Sequence, residues 1–263
     1  MIAGLDLAAF STRMETQGWV VFENALSATL VRRMEADLAE AWDVCRAAQA
    51  RNNISVDADL TVHHIIGIGA SFLEYVDVSE ALDGYFAAYF RGRYILNSFG
   101  GAINTRGRHS YAQRIHRDIR SFSGATPLLL NTLVMLDDFT RDNGATYLLT
   151  GGHLLSERPD EKYFYAHAER ALAPAGSILV FNSNLWHAGG DNLTDRPRRS
   201  VTPMYCRPFM KQQFDYPRAL GYDRGPLLNP YARQVIGYNA RVPATLDEWY
   251  QPPDKRMYKG DQG

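Results

Sequence analysis

The segment QRIHRDIRSF, residues 113–122, carries His116 and Asp118 two positions apart, and LWHAGGDNLTDRPRRS, residues 185–200, carries His187. Residues two apart on a β-strand project from one face, so a strand over 113–118 would present both side chains together. One carboxylate and two imidazoles on adjacent strands form a 2-His-1-carboxylate triad, which holds Fe(II) from one side and leaves its other positions open. Open positions on a redox metal imply chemistry with O2 and a chelating cosubstrate. Arg198 lies eleven residues beyond His187. Its planar fork suits the far carboxylate of such a cosubstrate better than a lysine would. Arg198 and Ser200 are again two apart, so both can face inward while Arg199 faces away. Arg196 is the register competitor for the same role.

The surroundings offer further candidates, each with a plainer reading. Gln113 stands three before His116. Its amide can meet the near carboxylate of the cosubstrate, but odd spacing puts it on the opposite strand face, where core or turn hydrogen bonding serves equally. Asn131 is polar inside the apolar run LLLNTLVML, residues 128–136. Burial without a partner would cost about 1–3 kcal/mol, so it needs one, either cosubstrate or backbone. His63 and His64 sit in TVHHIIGIGASFLEY, residues 61–75, as lid residues over substrate or as structural groups; adjacent strand residues face opposite ways, so both cannot line one pocket there. Arg106, in the polar loop before the metal segment, can meet an anionic substrate or simply be solvated. Trp186, beside His187, can shape the pocket or pack the rim. Gly189 and Gly190 allow close backbone approach.

Taken in order, these residues resemble the phytanoyl-CoA dioxygenase family of Fe(II)/2-oxoglutarate-dependent oxygenases. GWVVFENALSATLVRRMEADLAEAW (18–42) is similar to the family's opening strand and first helix, and YAQRIHRD (111–118) to its metal strand. NTLVMLDDFTRDNGATYLLTGGH (131–153) looks like its central segment, which usually closes on Pro-Gly-Ser-His. Thr150, Gly151, Gly152 and His153 stand there instead, a departure in a turn and not in the metal site.

The resemblance implies a mainly β fold with flanking helices, a double-stranded β-helix (jelly-roll, cupin-like) barrel. It implies Fe(II) on His116, Asp118 and His187, 2-oxoglutarate on Arg198, and O2 as oxidant. The implied enzyme is a non-haem Fe(II)/2-oxoglutarate-dependent dioxygenase. It hydroxylates an unactivated C–H bond of a small molecule while 2-oxoglutarate becomes succinate and CO2. The same iron chemistry can give desaturation, epimerisation or cyclisation. A cupin-like metal protein without 2-oxoglutarate chemistry is the further alternative, and it would not need Arg198. Because Asp118 is present, the chain does not resemble the halogenating relatives that replace this carboxylate with a small residue.

Local patterns supply the elements that must position these groups. Thr12 with Glu15 predicts a capping box for a short opening helix stopped at Gly18, and 19–23 a strand. Leu30, Met34, Leu38 and Trp42 recur every four residues and predict a helix over 28–49. A second helix is predicted over 79–91. Strands follow near 94–98, 113–118, 128–136, 145–149, 177–181 and 199–206. Helices first and strands later fit a sheet barrel with helices packed outside. The division is one oxygenase domain over 1–263: 1–92 as helical support and lid, 93–206 as barrel core, 207–263 as a wrapping tail of ordered coil.

Composition bounds the rest. A chain of 263 residues with 46% hydrophobic content can bury one large core. A net charge of −1 gives no electrostatic case for nucleic acid or an anionic membrane. Two cysteines do not make a disulfide framework, which suits a reducing compartment, and the start MIAGLDLAAF lacks a basic region ahead of a long apolar core. The expectation is a cytoplasmic protein, monomer or small homo-oligomer, acting on a small molecule.

Overall fold

The computed structural model describes residues 5–54, 60–108 and 110–262. Helix α1 (Leu7–Thr16) leads into strand β1 (Trp19–Phe22) and the long helix α2 (Ala28–Arg51). The Ser27 hydroxyl caps α2 by accepting from Leu30 N at 3.2 Å, as expected of a serine before an apolar stripe. Strand β2 (Thr61–Val62), helix α3 (Ala70–Val78) and helix α4 (Asp83–Phe90) follow. Then come β3 (Ile95–Asn104), β4 (Leu129–Met135), β5 (Tyr147–Leu148), α5 (Glu161–His167), β6 (Glu169–Arg170), β7 (Ile178–Asn182), β8 (His187–Ala188) and β9 (Arg198–Cys206). Three short α-helices follow, α6 (Tyr216–Leu220), α7 (Pro230–Ile236) and α8 (Leu246–Trp249), with a 3-10 helix over Tyr222–Leu227 between the first two.

The strands make two antiparallel sheets. The larger has the order β1-β7-β4-β9-β3-β2, and the smaller β6-β5-β8. Side-chain alternation separates the two faces of the larger sheet. Val20, Phe22, Val134, Ile178, Val180, Val201 and Tyr205 face a core shared with Met34 and Leu38 of α2 and with Phe72, Phe86 and Val235 from α3, α4 and α7. Their neighbours Met135, Leu179 and Phe181 face the other way, into a second core with Leu148 of β5. That second core lies between the sheets, so helices cover one face of a jelly-roll and the site occupies the other. Among the described residues, hydrogen bonds do not join the two sheets into a closed ring.

Several expectations change. Thr12 lies inside α1 and not at its start, with its hydroxyl on Ala8 O at 3.0 Å. The N-terminal third is more than support, because β1 and β2 are the edge strands of the larger sheet. The segment 61–75, which holds the lid candidates His63 and His64, opens on β2 and closes on the start of α3, with turns between them. The tail is not coil alone. Tyr231, Ala232, Val235 and Ile236 of α7 enter the main core. Helices of 5, 7 and 4 residues are too short to show a periodic stripe.

The strand predicted over 113–118 is absent. Ser110 caps a single 3-10 turn over Tyr111–Gln113, with the Gln113 side chain returning to Ser110 N at 2.6 Å. That reciprocal capping box holds the chain in a turn where alternation alone suggested a strand. Beyond the turn only His116 is in ladder register, as an isolated bridge to His187.

Candidate metal centre

His116, Asp118 and His187 each offer a ligand atom, and these atoms lie within 4.8 Å of one another. His187 comes from β8. His116 is held beside it by main-chain hydrogen bonds in both directions, His116 N to His187 O and His187 N to His116 O, each 2.9 Å. Asp118 follows on a loop tied down by Ile119 N donating to Ser183 O at 3.2 Å. Asp118 Oδ1 lies 3.5 Å from His116 Nε2, and Oδ2 lies 3.6 Å from His187 Nε2.

Both rings are oriented from behind. His116 Nδ1 meets Arg114 O at 2.7 Å and His187 Nδ1 meets Leu185 O at 2.9 Å. A backbone acceptor on Nδ1 fixes the proton there and leaves the Nε2 lone pair facing Asp118. His187 is buried, while the His116 and Asp118 side chains keep about a quarter of their surface, 24% each. Solvent therefore meets the cluster from the His116–Asp118 side.

The charges of the cluster are interdependent. Burial would raise the Asp118 pKa, but His187, His116 and the Asn131 amide together hold it below the usual carboxylate value. Burial would lower His116, yet the hydrogen bond and charge of Asp118 outweigh it and raise it. Burial and the neighbouring His116 push His187 down to about 4. Near neutral pH, Asp118 is thus an anion and His187 neutral, the forms a divalent metal needs.

Of the three candidate arginines, the structure turns Arg198 inward. Arg198 is 6% exposed and Ser200 1%. The guanidinium stacks over the Phe139 ring at 4.3 Å and donates from Nη1 to Gly144 O at 2.7 Å. Among the described residues no carboxylate pairs with it, and its Nε and the Ser200 hydroxyl are buried without a hydrogen-bond partner. Burial and the nearby Arg170 lower its pKa to about 10, so the cation persists at neutral pH. Arg199 points to the opposite face and pairs with Asp137 at 2.6 Å and Glu35 of α2 at 3.1 Å. Arg196 is exposed.

The remaining candidates go elsewhere. Gln113 spends its amide on Ser110 N and on Asp191 Oδ1 at 2.9 Å. Asn131 does not turn to backbone: its amide nitrogen donates to Asp118 Oδ2, and Ser183 Oγ donates to its carbonyl at 2.5 Å. Trp186 lies on the far side of β8 from His187, packed with Ile115, Leu149 and Phe164 and donating to Leu155 O at 3.1 Å. Trp186 immediately precedes β8 and shares its cluster with Ala188, while His187 between them turns toward Asp118. His63 and His64 follow the end of β2 rather than sharing a strand. His63 is exposed and its Nε2 lies 3.3 Å from Thr61 Oγ1. His64 turns to Tyr216 OH at 3.0 Å and stacks on Phe214. Arg106 is a surface ion pair with Asp195 at 2.8 Å. Sequence reasoning missed Ser183, Phe139 and Gly144; a hydroxyl one residue past a strand and a glycine in an Asn-Gly turn gave no signal of a role at the site.

This arrangement coincides with a wider likeness. The family model described as Phytanoyl-CoA dioxygenase (PhyH) matches residues 14–200, which include all three candidate ligand residues and both inward polar groups of β9. The chain belongs to the phytanoyl-CoA dioxygenase family. An uncharacterized protein of Mycobacterium tuberculosis, Rv1501, is 40% identical over 154 residues, covering 58% of this chain and 56% of that one. The chain thus spans about half the length of that curated relative. The iron/alpha-ketoglutarate-dependent dioxygenase ausU of Aspergillus calidoustus is 24% identical over 262 residues, covering 90% of this chain and 83% of its own. In fold, the chain is similar to the non-heme alpha ketoglutarate dependent epimerase SnoN. The TM-score is 0.56 at 21% identity, with 76% of this chain and 82% of that one covered.

Proposed function

We propose that this protein is an Fe(II)/2-oxoglutarate-dependent oxygenase that hydroxylates an unactivated C–H bond of a small-molecule substrate. The reaction joins R–H, O2 and 2-oxoglutarate to give R–OH, succinate and CO2. The observation that carries the reading is the pairing of two features inside the jelly-roll. One is a two-histidine, one-carboxylate cluster with its Nε2 atoms turned toward the carboxylate. The other is a buried arginine with no acidic partner among the described residues.

The residues fit the group they would hold. Two neutral imidazoles and a carboxylate match the nitrogen–oxygen preference of Fe(II) and leave positions for a chelate and O2. The bound iron would supply the oxidation; the chain supplies the rest. Arg198 offers a fork and Ser200 a hydroxyl, both desolvated in advance, for the far carboxylate of 2-oxoglutarate. A buried cation without a counter-ion is costly, so binding an anion there relieves an existing penalty. A cupin-like protein without 2-oxoglutarate has no use for Arg198. Phe139 holds the guanidinium plane, and Gly144 O fixes one of its nitrogens.

No helix of the described residues is long and apolar enough to cross a membrane. Cys45 and Cys206 are both free, which supports a reducing, cytoplasmic setting. The test is to supply Fe(II), 2-oxoglutarate and air without any substrate and follow succinate. Slow succinate formation that vanishes in His116→Ala is expected. Absence of succinate in the parent, across substrates and reductants, would remove the reading.

A further inference from the structure

The iron positions that the proposed chemistry needs are countable, and the inference drawn from them rests on that reading. A six-coordinate ion with two imidazoles and one carboxylate oxygen keeps three positions, two for the keto acid and one for O2. An aspartate can also bind through both oxygens. Asp118 doing so would close one of the three. Something must therefore decide how many oxygens it gives.

Asp118 is poorly placed to decide for itself. It stands on a loop and not on a strand, two residues beyond an isolated bridge. Its side chain lacks the regular backbone that aims Arg198 and His187. The partner it does have is Asn131, on the inner face of β4 and 4% exposed. The Asn131 amide nitrogen donates to Oδ2 of Asp118. Ser183, 1% exposed just past β7, donates to the Asn131 carbonyl at 2.5 Å. Each end of the amide thus sees the complementary group. Turning it over would set a carbonyl against a carboxylate, two acceptors with no proton between them. Each oxygen faces one imidazole, Oδ1 at 3.5 Å from His116 Nε2 and Oδ2 at 3.6 Å from His187 Nε2, so the Asn131 amide is what sets the two apart.

We propose that Asn131 is a positioning residue that reserves Oδ2 of Asp118 for a hydrogen bond, so that Asp118 reaches the metal through Oδ1 alone. Ser183 orients Asn131 for that task. The Ser183–Asn131–Asp118 chain thereby ties β4 and the turn after β7 to the loop that carries the carboxylate ligand. It keeps open the position that the cosubstrate chelate requires.

The test uses the whole protein, with Co(II) as an air-stable probe, in the parent, Asn131→Leu, Ser183→Ala and the double variant. Leucine keeps the volume and removes the donor. The double variant avoids leaving the Ser183 hydroxyl unpaired. Calorimetry gives Co(II) affinity, then 2-oxoglutarate affinity of the Co(II)-loaded protein, and the cobalt absorption spectrum reports coordination number. In Asn131→Leu and the double variant, Co(II) affinity should hold or rise, while 2-oxoglutarate affinity falls about tenfold or more, in the range usual for a lost outer partner. Ser183→Ala should move the same way by less, and it carries the test alone if the leucine variants fail to fold. A merely structural role would weaken both ligands together. Parallel loss of both affinities, or unchanged 2-oxoglutarate affinity in a folded variant, overturns the assignment. A parent that binds Co(II) but takes no 2-oxoglutarate overturns the functional reading itself, and this inference with it.

Discussion

His116 and His187 hold each other by the main chain, each donating its N–H to the other's carbonyl at 2.9 Å. The two imidazoles are consequently neighbours, ring centroids 4.2 Å apart, whether or not a metal joins them. The site is built by backbone and only completed by side chains.

This separation predicts the behaviour of His116→Ala. The bridge survives because it uses no side-chain atom. The metal-free melting curve should shift by less than about 1 kcal/mol in stability. Metal affinity should fall by more than about a hundredfold, beyond the effect of losing an outer partner. Thermal denaturation and metal calorimetry on the same sample check both. Unfolding of the variant would mean that the ring, and not the bridge, holds the segment.

Arg198→Leu should separate cosubstrate from metal. Removing one partner of a buried charge pair costs about 2–5 kcal/mol, so the KM for 2-oxoglutarate should rise by roughly thirtyfold or more. Metal affinity should stay close to the parent's. Because the cation has no carboxylate partner among the described residues, metal-free stability should not fall by the amount typical of a broken ion pair. A large loss of metal-free stability would show that Arg198 is a structural strut.

Gly144 is the backbone counterpart of this anchor. Its φ is +83°, and a Cβ there would lie 2.3 Å from Gly190 O. Its own carbonyl accepts from Arg198. Gly144→Ala should destabilise the fold by about 1–3 kcal/mol and weaken 2-oxoglutarate binding while sparing the metal. Equal effects on both ligands would place the damage nearer the triad.

Protons should leave the site unequally. His187 is held neutral down to about pH 4, and Asp118 is ionised, so neither releases a proton to an entering metal near pH 6. His116 is raised above its ordinary value and is then mostly protonated. Calorimetry in buffers of differing ionisation enthalpy should find release approaching one proton per metal near pH 6, declining as pH rises. Release of two would contradict the assignment of His187.

The same shifts have opposite signs in metal-free stability. For His187 the folded pKa, about 4, lies below the unfolded 6.5, so the unfolded chain binds more protons between them and stability falls as pH drops through that window. For His116 the folded pKa is raised, so its contribution is full below the unfolded value and is lost as pH rises through the folded one. His187→Asn should flatten the acid side of the stability profile, and urea midpoints between pH 4 and 7 measure it.

How far the site was legible follows from where its residues lie. Arg198 and Ser200 are on β9, a 9-residue strand, where a period of two holds and inward facing can be read directly. His116 and Asp118 were readable as a pair, but the reason was not: a capped 3-10 turn and one bridge position replace the expected strand. The partners of Asn131 were not readable, because Asp118 and Ser183 meet it only through tertiary packing, 13 and 52 positions away. The sheet was largely visible because its strands are apolar and β-branched. The tail helices α6, α7 and α8 were hidden, since fewer than about two turns cannot display a stripe.

The most direct measurement is an anaerobic titration of the metal-free protein with Fe(II) and 2-oxoglutarate, followed by visible absorption. The account predicts a weak charge-transfer band that needs both ligands and saturates at one of each per chain. It should be abolished in His116→Ala and require far more 2-oxoglutarate in Arg198→Leu. No band at saturating ligand, or a band indifferent to Arg198→Leu, would contradict it.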